Sequence, residues 1–371
     1  MRSARLALPW VIDARTDLGW FVGGALLSLA FLAALLASAH PETIWLAWAT
    51  LVDTPHYFGT YSRTYLDPAE RTRLRGRLLG SLGLLAVGPV AVGLCAVLHR
   101  AGVAAYRAPL VALLLAFNVW AYWHLVRQHH GIAGLYRRRA GEGDRDRRID
   151  TWFVHGTLLG AFALLVLGHP EARTALGLGP ERGPWDRGAT LAAWGVVAAS
   201  TLAFVARQLE RWRAGEPVSA TKLLYLLSVV GTYVFLCTYE GAYRLPLFVW
   251  SGTITIGHDL EYQALVWYHH RNHFGHAAMP PPFRTRSLLR FLACATAMGL
   301  LLRGLGTSLG VFAGVPPLWD SGTVTLFGDV LLRDLFLSVM LGVAMHHYYL
   351  DQIIWRPGKD GALRRDLRLP A

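Results

Sequence analysis

Long uncharged apolar runs are the feature that most limits how this chain can fold. The stretches from Phe21 to Ala39, from Leu78 to Leu98 and from Leu223 to Thr238 contain no charged residue. An apolar run of roughly 20 residues is long enough to cross a bilayer as a helix. Because lipid offers no water to backbone groups, only helices and closed barrels can span it, and barrel strands are short and alternating. The runs therefore predict an all-α fold, a polytopic transmembrane helical bundle.

The composition agrees with this prediction and limits the kind of partner. Of the 371 residues, 54% are hydrophobic and 16% are charged, whereas a soluble domain usually has about 25% charged residues. The formal charge of +12 comes from arginines that lie between the apolar runs, where they act as orientation signals. We therefore expect membrane lipids as partners and no nucleic acid. The three cysteines fall in separate runs without a CxxC spacing, which argues against disulfide and thiolate-zinc scaffolds.

Ten membrane spans are predicted, within a single transmembrane domain covering residues 1–371. Arginine-rich segments follow every second span, and both termini are arginine-rich as well, so the bias of positive charge predicts N-in and C-in termini. The expected location is a cell membrane, crossed many times, and the inner membrane if the source is bacterial. The predicted spans are 20–39, 43–61, 79–99, 107–129, 152–169, 189–206, 222–239, 246–267, 287–305 and 327–350.

Most of the histidines gather at the cytoplasmic ends of these predicted spans. Ionisable residues inside a membrane are costly and usually functional, and imidazole is a good ligand for iron, copper, zinc and nickel. The convergence of so many imidazoles on one side predicts a metal site facing the cytosol. The candidate metal ligands are His56, His124, His129, His130, His258, His269, His270, His273, His346 and His347.

Two carboxylates have a helical spacing to these histidines. Asp351 follows His347 by four residues, and Asp53 precedes His56 by three, so each pair shares a helix face. A carboxylate so placed can ligate a metal or orient the neighbouring imidazole. Asp351, Asp53 and Tyr262 are the candidate catalytic residues, and Tyr262 is one of several aromatic residues near the histidines that could line a substrate cavity.

The histidine positions do not fit one compact site on straight helices. His258 and His269 share a face but lie about 16 Å apart along a helix axis, whereas two metals of one centre lie roughly 4 Å apart. Either the helix breaks or the ligands form two layers. The deeper layer would then hold His56, His124, His258, His346 and His347, and the shallower one His129, His130, His269, His270 and His273.

The histidine segments resemble the histidine boxes of the integral-membrane di-iron desaturase and hydroxylase superfamily. His124 and His129 match HxxxxH, and His130 extends it. The segment HHRNH at 269–273 is similar to a second box in reversed order, and His346-His347 to the end of a third, in which Asp351 could replace a histidine. Members of that family have fewer spans than the ten predicted here. Membrane carotenoid-cleaving dioxygenases are a second family that the scattered histidines resemble.

Both resemblances imply an oxidoreductase that activates O₂ on non-haem iron, with two irons in the first family. The implied substrate is lipid-like or isoprenoid, oxidised by hydroxylation, desaturation or cleavage at the cytoplasmic side. Because the chain has no nucleotide-binding motif of the P-loop or GxGxxG kind, a separate electron-donor protein would be needed.

Two alternatives remain open at this stage. Facing histidines such as His124 and His258 could ligate a haem in quinone-linked electron transfer. Histidines and acidic residues also line the paths of metal-ion and proton transporters, although the outer halves of the predicted spans are poor in polar residues.

Overall fold

The computed structural model describes residues 6–179, 182–273, 288–309 and 320–370. These residues are mostly helical, which confirms the all-α prediction. The described strands are very short. Leu6–Ala7 pairs in parallel with Val218–Ser219, and Thr325–Phe327 pairs antiparallel with Val330–Leu331.

Each of the ten predicted spans overlaps a helix or a continuous helical stretch, although the tenth, predicted from residue 327, starts among two short strands and becomes helical only at Leu332. The number of spans stays a prediction. Within the described parts of the chain, seven helices are long and apolar enough to cross a membrane. These seven are Ala14–Ala37, Arg75–Arg100, Ala108–Arg139, Asp144–Gly168, Pro184–Arg213, Ala220–Thr238 and Leu288–Ser308.

The other three predicted spans are helical but more polar. They correspond to the helical stretch Pro41–Trp48, Ala49–Asp53 and Thr54–Arg63, whose middle part is π-helical, and to the helices Leu247–His273 and Leu332–Ile354. All three contain candidate site residues, and those histidines and acidic groups lower the mean hydropathy. These three helical stretches therefore depart in composition from a simple membrane anchor, whereas Ala108–Arg139 carries three candidate histidines and is still apolar enough to span.

The shorter helices cap and connect these elements. A π-helical segment, Asp17–Val22, lies within the first spanning stretch, between Ala14–Thr16 and Gly23–Ala37, and Arg75–Ser81 precedes Leu84–Arg100. The remaining short helices are Pro68–Arg73, Pro170–Ala175, Glu240–Arg244, Ser321–Thr323 and Gly361–Asp366.

Tertiary contacts divide the chain into two compact units, each made of separate stretches of sequence. The first unit comprises Met1–Pro41, Leu125–Ala264 and Arg368–Ala371, and the second comprises Glu42–His124 and Leu265–Leu367. The single transmembrane domain stays a prediction about the whole chain.

In the first unit, the helices Asp144–Gly168 and Pro184–Arg213 pack closely through small residues. A Cβ atom added at Gly160 would lie 2.6 Å from Val197 Cγ2. Nearby, the fully buried ammonium of Lys222 contacts the carboxylates of Glu142 and Asp150. Buried opposite charges need such pairing, because an isolated ion is very costly in a low-dielectric interior. This unit therefore combines close helix packing with a buried charge cluster centred on Lys222.

In the second unit, two close helix contacts depend on glycine. Gly88 lies against the backbone carbonyl of Ser338, and a Cβ atom at Gly88 would overlap that oxygen. Gly299 lies in the same way against the carbonyl of Thr50, with the ring of Pro55 beside it. Small residues let helix backbones approach closely where apolar burial alone gives no driving force, as in lipid. These contacts hold the helices that carry the site residues.

Candidate metal centre

Three helices of the second unit bring imidazole and carboxylate groups together. Their positions follow from the sequence, because His347 and Asp351 are four residues apart and so lie on one face of their helix. The contributing helices are Thr54–Arg63, the first part of Ala108–Arg139, and Leu332–Ile354.

His124, His347 and Asp351 form a buried group whose ligand-type atoms all lie within 4.8 Å of one another. Asp351 Oδ2 lies 3.8 Å from His124 Nε2 and 3.7 Å from His347 Nε2. His56 adjoins the group, since its Nε2 lies 2.9 Å from His347 Nε2. Three of the predicted metal ligands and one predicted catalytic carboxylate therefore meet in one place.

Thr60 fixes the orientation of two members of this group. Its hydroxyl donates a hydrogen bond to Asp351 Oδ1 at 2.6 Å, so it accepts from His347 Nδ1 at 2.7 Å. This arrangement assigns the proton of His347 to Nδ1 and leaves the lone pair of Nε2 directed toward His56. Asp351 likewise uses one carboxylate oxygen for Thr60 and turns the other toward the two histidines.

Asp53, predicted as a catalytic residue, forms an ion pair beside His56. Its Oδ2 accepts a hydrogen bond from Arg303 Nη2 at 2.7 Å, and Arg303 Nε donates to Thr54 Oγ1 at 2.7 Å. The other carboxylate oxygen of Asp53 lies 4.0 Å from His56 Nδ1. Asp53 is thus placed to orient His56.

Aromatic rings cover the group. Tyr348 stacks on His124 with ring centroids 4.7 Å apart, and Tyr57 stacks on His347 at 4.6 Å. Trp120 lies 6.3 Å from Tyr348, centroid to centroid. Tyr57 and Tyr348 belong to a small apolar cluster that also includes Phe117, Ala121, Met298, Val343 and Ala344.

A shallow, open apolar groove of about 470 Å³ runs along the first part of helix Ala108–Arg139, and this one helix supplies its lining. Trp120 belongs both to this groove and to the aromatic cluster beside His124. The groove is lined by Leu115, Ala116, Val119, Trp120 and Trp123.

His346, the immediate neighbour of His347, turns to other partners. Its Nδ1 lies 3.3 Å from the hydroxyl of Tyr61, and its Nε2 lies 3.0 Å from that of Tyr65 and 3.1 Å from Ser81 Oγ. Both ring nitrogens therefore face hydroxyl groups.

A second group in the same unit joins His269, His273 and Asp366, again with ligand-type atoms within 4.8 Å of one another. Asp366 Oδ2 lies 3.5 Å from His269 Nε2 and 2.7 Å from His273 Nδ1. The two imidazole rings are four residues apart and stack with centroids at 5.0 Å. His273 Nε2 lies 3.1 Å from the carboxylate of Asp67.

The two carboxylates have a strong electrostatic effect on His273. The hydrogen bond with Asp366, followed by that with Asp67, raises the pKa of His273 to about 9. Burial acts to raise the pKa of Asp366, but the hydrogen bonds with His269 and His273 outweigh it and hold that pKa well below its usual value. Without a bound cation, His273 is therefore an imidazolium between two carboxylates.

His270 faces away from this second group. Ser62 Oγ donates to the carbonyl of Gly59 at 2.7 Å, so it accepts from His270 Nε2 at 2.9 Å. The His270 ring also lies 5.3 Å from that of Phe291, centroid to centroid.

In the first unit, His129 lies in a buried network of hydroxyl and carboxyl groups. Its Nδ1 is 3.0 Å from both the Tyr225 hydroxyl and Glu261 Oε2, and its Nε2 is 2.8 Å from the Tyr233 hydroxyl. Helix Ala108–Arg139 continues without interruption through both His124 and His129.

The remaining predicted residues also belong to the first unit. His130 Nε2 lies 3.0 Å from Thr151 Oγ1, and the ring of His258 lies 6.4 Å from that of His129. Tyr262 is buried. The roles predicted for these residues and for His129 stay predictions.

Three residues of these groups were not anticipated from the sequence. Thr60 follows His56 by four residues, so helical spacing could have revealed it. Asp67 and Asp366 lie outside the predicted spans, 206 and 93 residues from His273, and no periodic pattern connects residues so far apart.

Comparison with known proteins finds no matching family model, no matching curated protein and no matching solved structure. The candidate function therefore depends on the residues of this chain.

Proposed function

We propose that the chain is a multi-pass membrane oxidoreductase that holds non-haem iron at His124, His347 and Asp351. The observation that supports this most is the buried meeting of these three groups, with His56 beside them. Imidazole and carboxylate ligands with open coordination positions are typical of the non-haem iron that activates O₂.

The donor set fits a metal ion. Two ligand atoms that each lie about 2.1 Å from an ion are roughly 3–4 Å apart, and Asp351 Oδ2 lies 3.8 and 3.7 Å from the two histidine nitrogens. Ligation needs the neutral imidazole and the ionised carboxylate. The Thr60 hydroxyl supplies the matching hydrogen bonds, since it accepts from His347 Nδ1 and donates to Asp351.

The surrounding residues orient these donors. A ligating histidine usually donates its other ring N–H to an oxygen, which fixes its tautomer and ring position. Thr60 has this place for His347. Asp53, held by Arg303, lies 4.0 Å from His56 Nδ1, so it acts on that ring through its charge and not through a hydrogen bond. We therefore assign Asp53 to positioning and Asp351 to direct ligation.

The walls of the site suit a hydrocarbon. Tyr57 and Tyr348 cover the imidazoles, and the apolar groove on helix Ala108–Arg139 shares Trp120 with that cluster. An apolar surface of this kind favours contact with a hydrocarbon chain over contact with water. We propose a lipid-like or isoprenoid substrate whose chain enters along this groove, with electrons supplied by a separate protein.

The proposed topology has ten spans with both termini in the cytoplasm. Single cysteines at Ala175 and Lys359, each in a background with the three native cysteines changed to alanine, test the sides. A membrane-impermeant thiol reagent added to intact cells is expected to label Ala175→Cys and not Lys359→Cys. Labelling of both, or of Lys359→Cys alone, contradicts the proposed sidedness.

Metal content provides the functional test, and adjacent histidines give a matched pair of variants. His347→Gln removes a proposed ligand, whereas His346→Gln alters a buried histidine that faces tyrosine and serine hydroxyls. The detergent-purified protein is loaded with iron anaerobically, desalted and assayed by mass spectrometry and absorption spectroscopy. We expect His347→Gln to lose iron and His346→Gln to keep it, with no Soret band in either.

Each other outcome points to a different function. A Soret band in the purified protein would replace the proposal by haem-dependent electron transfer. Equal iron in both variants would place the metal elsewhere. Failure of the native protein to hold iron would reject the oxidoreductase proposal and favour transport.

A further inference from the structure

We propose that His269, His273 and Asp366 bind a second divalent transition-metal ion, which fastens the C-terminal helix Gly361–Asp366 to the end of helix Leu247–His273. This site shares no ligand with the proposed iron site. The inference can therefore succeed or fail independently of the proposed function.

The geometry brings one oxygen and two nitrogens to a common point. Asp366 Oδ2 lies 2.7 Å from His273 Nδ1 and 3.5 Å from His269 Nε2. Because the histidines are separated by one helical turn, their rings stack, with an angle of 20° between their planes. An ion between the three atoms would take the place of the proton that His273 Nδ1 now shares with Asp366.

Asp67 completes the arrangement expected around a metal-bound histidine. A histidine ligand commonly donates its other ring N–H to a carboxylate, and such a partner strengthens binding. His273 Nε2 lies 3.1 Å from Asp67 Oδ2. Asp67 Oδ1 accepts from the backbone N–H of Ala69 at 2.9 Å, capping the helix Pro68–Arg73. The orienting carboxylate is therefore itself held in place.

The ligand Asp366 is positioned by backbone contacts as well. Asn272 Nδ2 donates to the carbonyl oxygen of Asp366 at 2.7 Å. Asp366 ends the helix Gly361–Asp366, whose first turn is capped by the side chain of Asp360. These contacts therefore fix the end of helix Gly361–Asp366 beside His269 and His273.

The donor chemistry selects the class of ion. Two imidazoles and one carboxylate suit zinc and other first-row transition metals, whereas magnesium and calcium prefer all-oxygen sites. The side chains of His273 and Asp366 are 22% and 18% exposed, so an ion can enter from solvent. Three protein ligands leave a coordination position for water.

Zinc binding to the full-length, detergent-purified protein is the test, and adjacent histidines again form the matched pair. The protein titrated carries His347→Gln, so that the proposed iron site is disabled. It is stripped with a chelator and titrated with Zn²⁺ against a competing chelator. We expect one zinc per chain, a loss of at least tenfold in affinity on adding His269→Gln or Asp366→Asn, and little change on adding His270→Gln.

Asp67→Asn tests the positioning role separately. The loss of an orienting carboxylate typically lowers metal affinity 10–100-fold while the ligands stay in place. This variant is therefore expected to bind zinc more weakly, at the same one-to-one ratio. Unchanged affinity would show that Asp67 does not position the site. The three proposed ligands are tested by the other variants.

Protease susceptibility gives a second measurement that needs no substitution at the proposed zinc ligands. Zinc added to the stripped protein in the same background is expected to slow tryptic cleavage after Arg364 and Arg365, because the ion fastens the helix that contains them. The proposal is overturned if zinc fails to bind that background, if His270→Gln lowers affinity as much as His269→Gln, or if zinc leaves the cleavage rate unchanged.

Discussion

His347 Nδ1 lies 2.7 Å from Thr60 Oγ1, and the hydroxyl between them determines how the histidine is protonated. The hydroxyl has only one proton, and it uses that proton to donate a hydrogen bond to Asp351. The imidazole must therefore donate to Thr60 and direct its bare nitrogen into the proposed metal centre. The Thr60 hydroxyl thereby orients both proposed ligands, His347 and Asp351.

The first prediction concerns this threonine. Thr60→Val keeps the shape of the side chain and removes the hydroxyl, so His347 and Asp351 lose their shared partner. We expect iron affinity to fall 10–100-fold, measured by chelator competition, with Thr60→Ser close to native. The control Thr64→Val removes a hydroxyl that bonds only to the backbone carbonyl of Thr60. Equal affinities for all three variants would contradict the role of Thr60.

The second prediction concerns the ion pair between Arg303 and Asp53. Arg303→Met leaves the carboxylate without its guanidinium partner. The pair is partly buried, so we expect its loss to cost less than the roughly 3–5 kcal/mol typical of a fully buried pair. The thermal unfolding temperature in detergent is expected to drop clearly, and the double variant with Asp53→Asn is expected to recover part of the loss. Arg290→Met, on an exposed position of the same helix, is the control. If both arginine variants unfold at the same temperature, the pair does not stabilise this unit.

The third prediction tests the close helix packing at Gly88. Gly88→Ala places a methyl group onto the Ser338 carbonyl, and overpacking typically costs about 1–3 kcal/mol. Gly93→Ala is the matched control, because nothing among the described residues lies within 4 Å of a Cβ there. We expect a lower unfolding temperature for the first variant and an unchanged or higher one for the second. The reverse order of unfolding temperatures would contradict the close contact between Gly88 and the Ser338 carbonyl.

The fourth prediction compares the two lysines of the chain. Lys222 is fully buried between Glu142 and Asp150, whereas Lys359 is exposed. Lys222→Met leaves two buried carboxylates without their ammonium, so we expect destabilisation of about 3–5 kcal/mol. Lys359→Met is expected to stay within about 0.5 kcal/mol of native. Thermal unfolding in detergent distinguishes the two, and similar unfolding temperatures would contradict the proposed importance of the Lys222 cluster.

The sequence predicted the helices better than it predicted the partners of the histidines. Apolar runs mark spans because burial in lipid acts on whole segments, and each of the ten predicted spans is helical over most of its length. Adjacent helical residues point about 100° apart, so His346 and His347 cannot face the same group. Five residues along a helix turn the direction by about 140°, which separates the partners of His124 and His129.

Composition alone could not find the acidic partners of the second group. Asp67 and Asp366 lie in polar segments where carboxylates are ordinary, and only the folded path of the chain brings them to His273. The spacing of Asp53 from His56 likewise predicts a catalytic carboxylate. Its pairing with Arg303 shows that a carboxylate spaced correctly from a histidine can be occupied by a cation from a distant helix.

The pairing of Asp53 with Arg303 has a consequence for how the protein is made. The two residues are 250 positions apart in the chain. At a synthesis rate of about 5–20 residues per second, the carboxylate waits roughly 10–50 seconds for its partner to leave the ribosome. During that interval the early helices of the second unit are in or near the membrane without the helix that neutralises Asp53. The second unit must therefore persist for a time without this ion pair during synthesis. In a chain that stops before residue 303, Asp53 would never gain its arginine partner, and quality-control proteases could act on that incomplete unit.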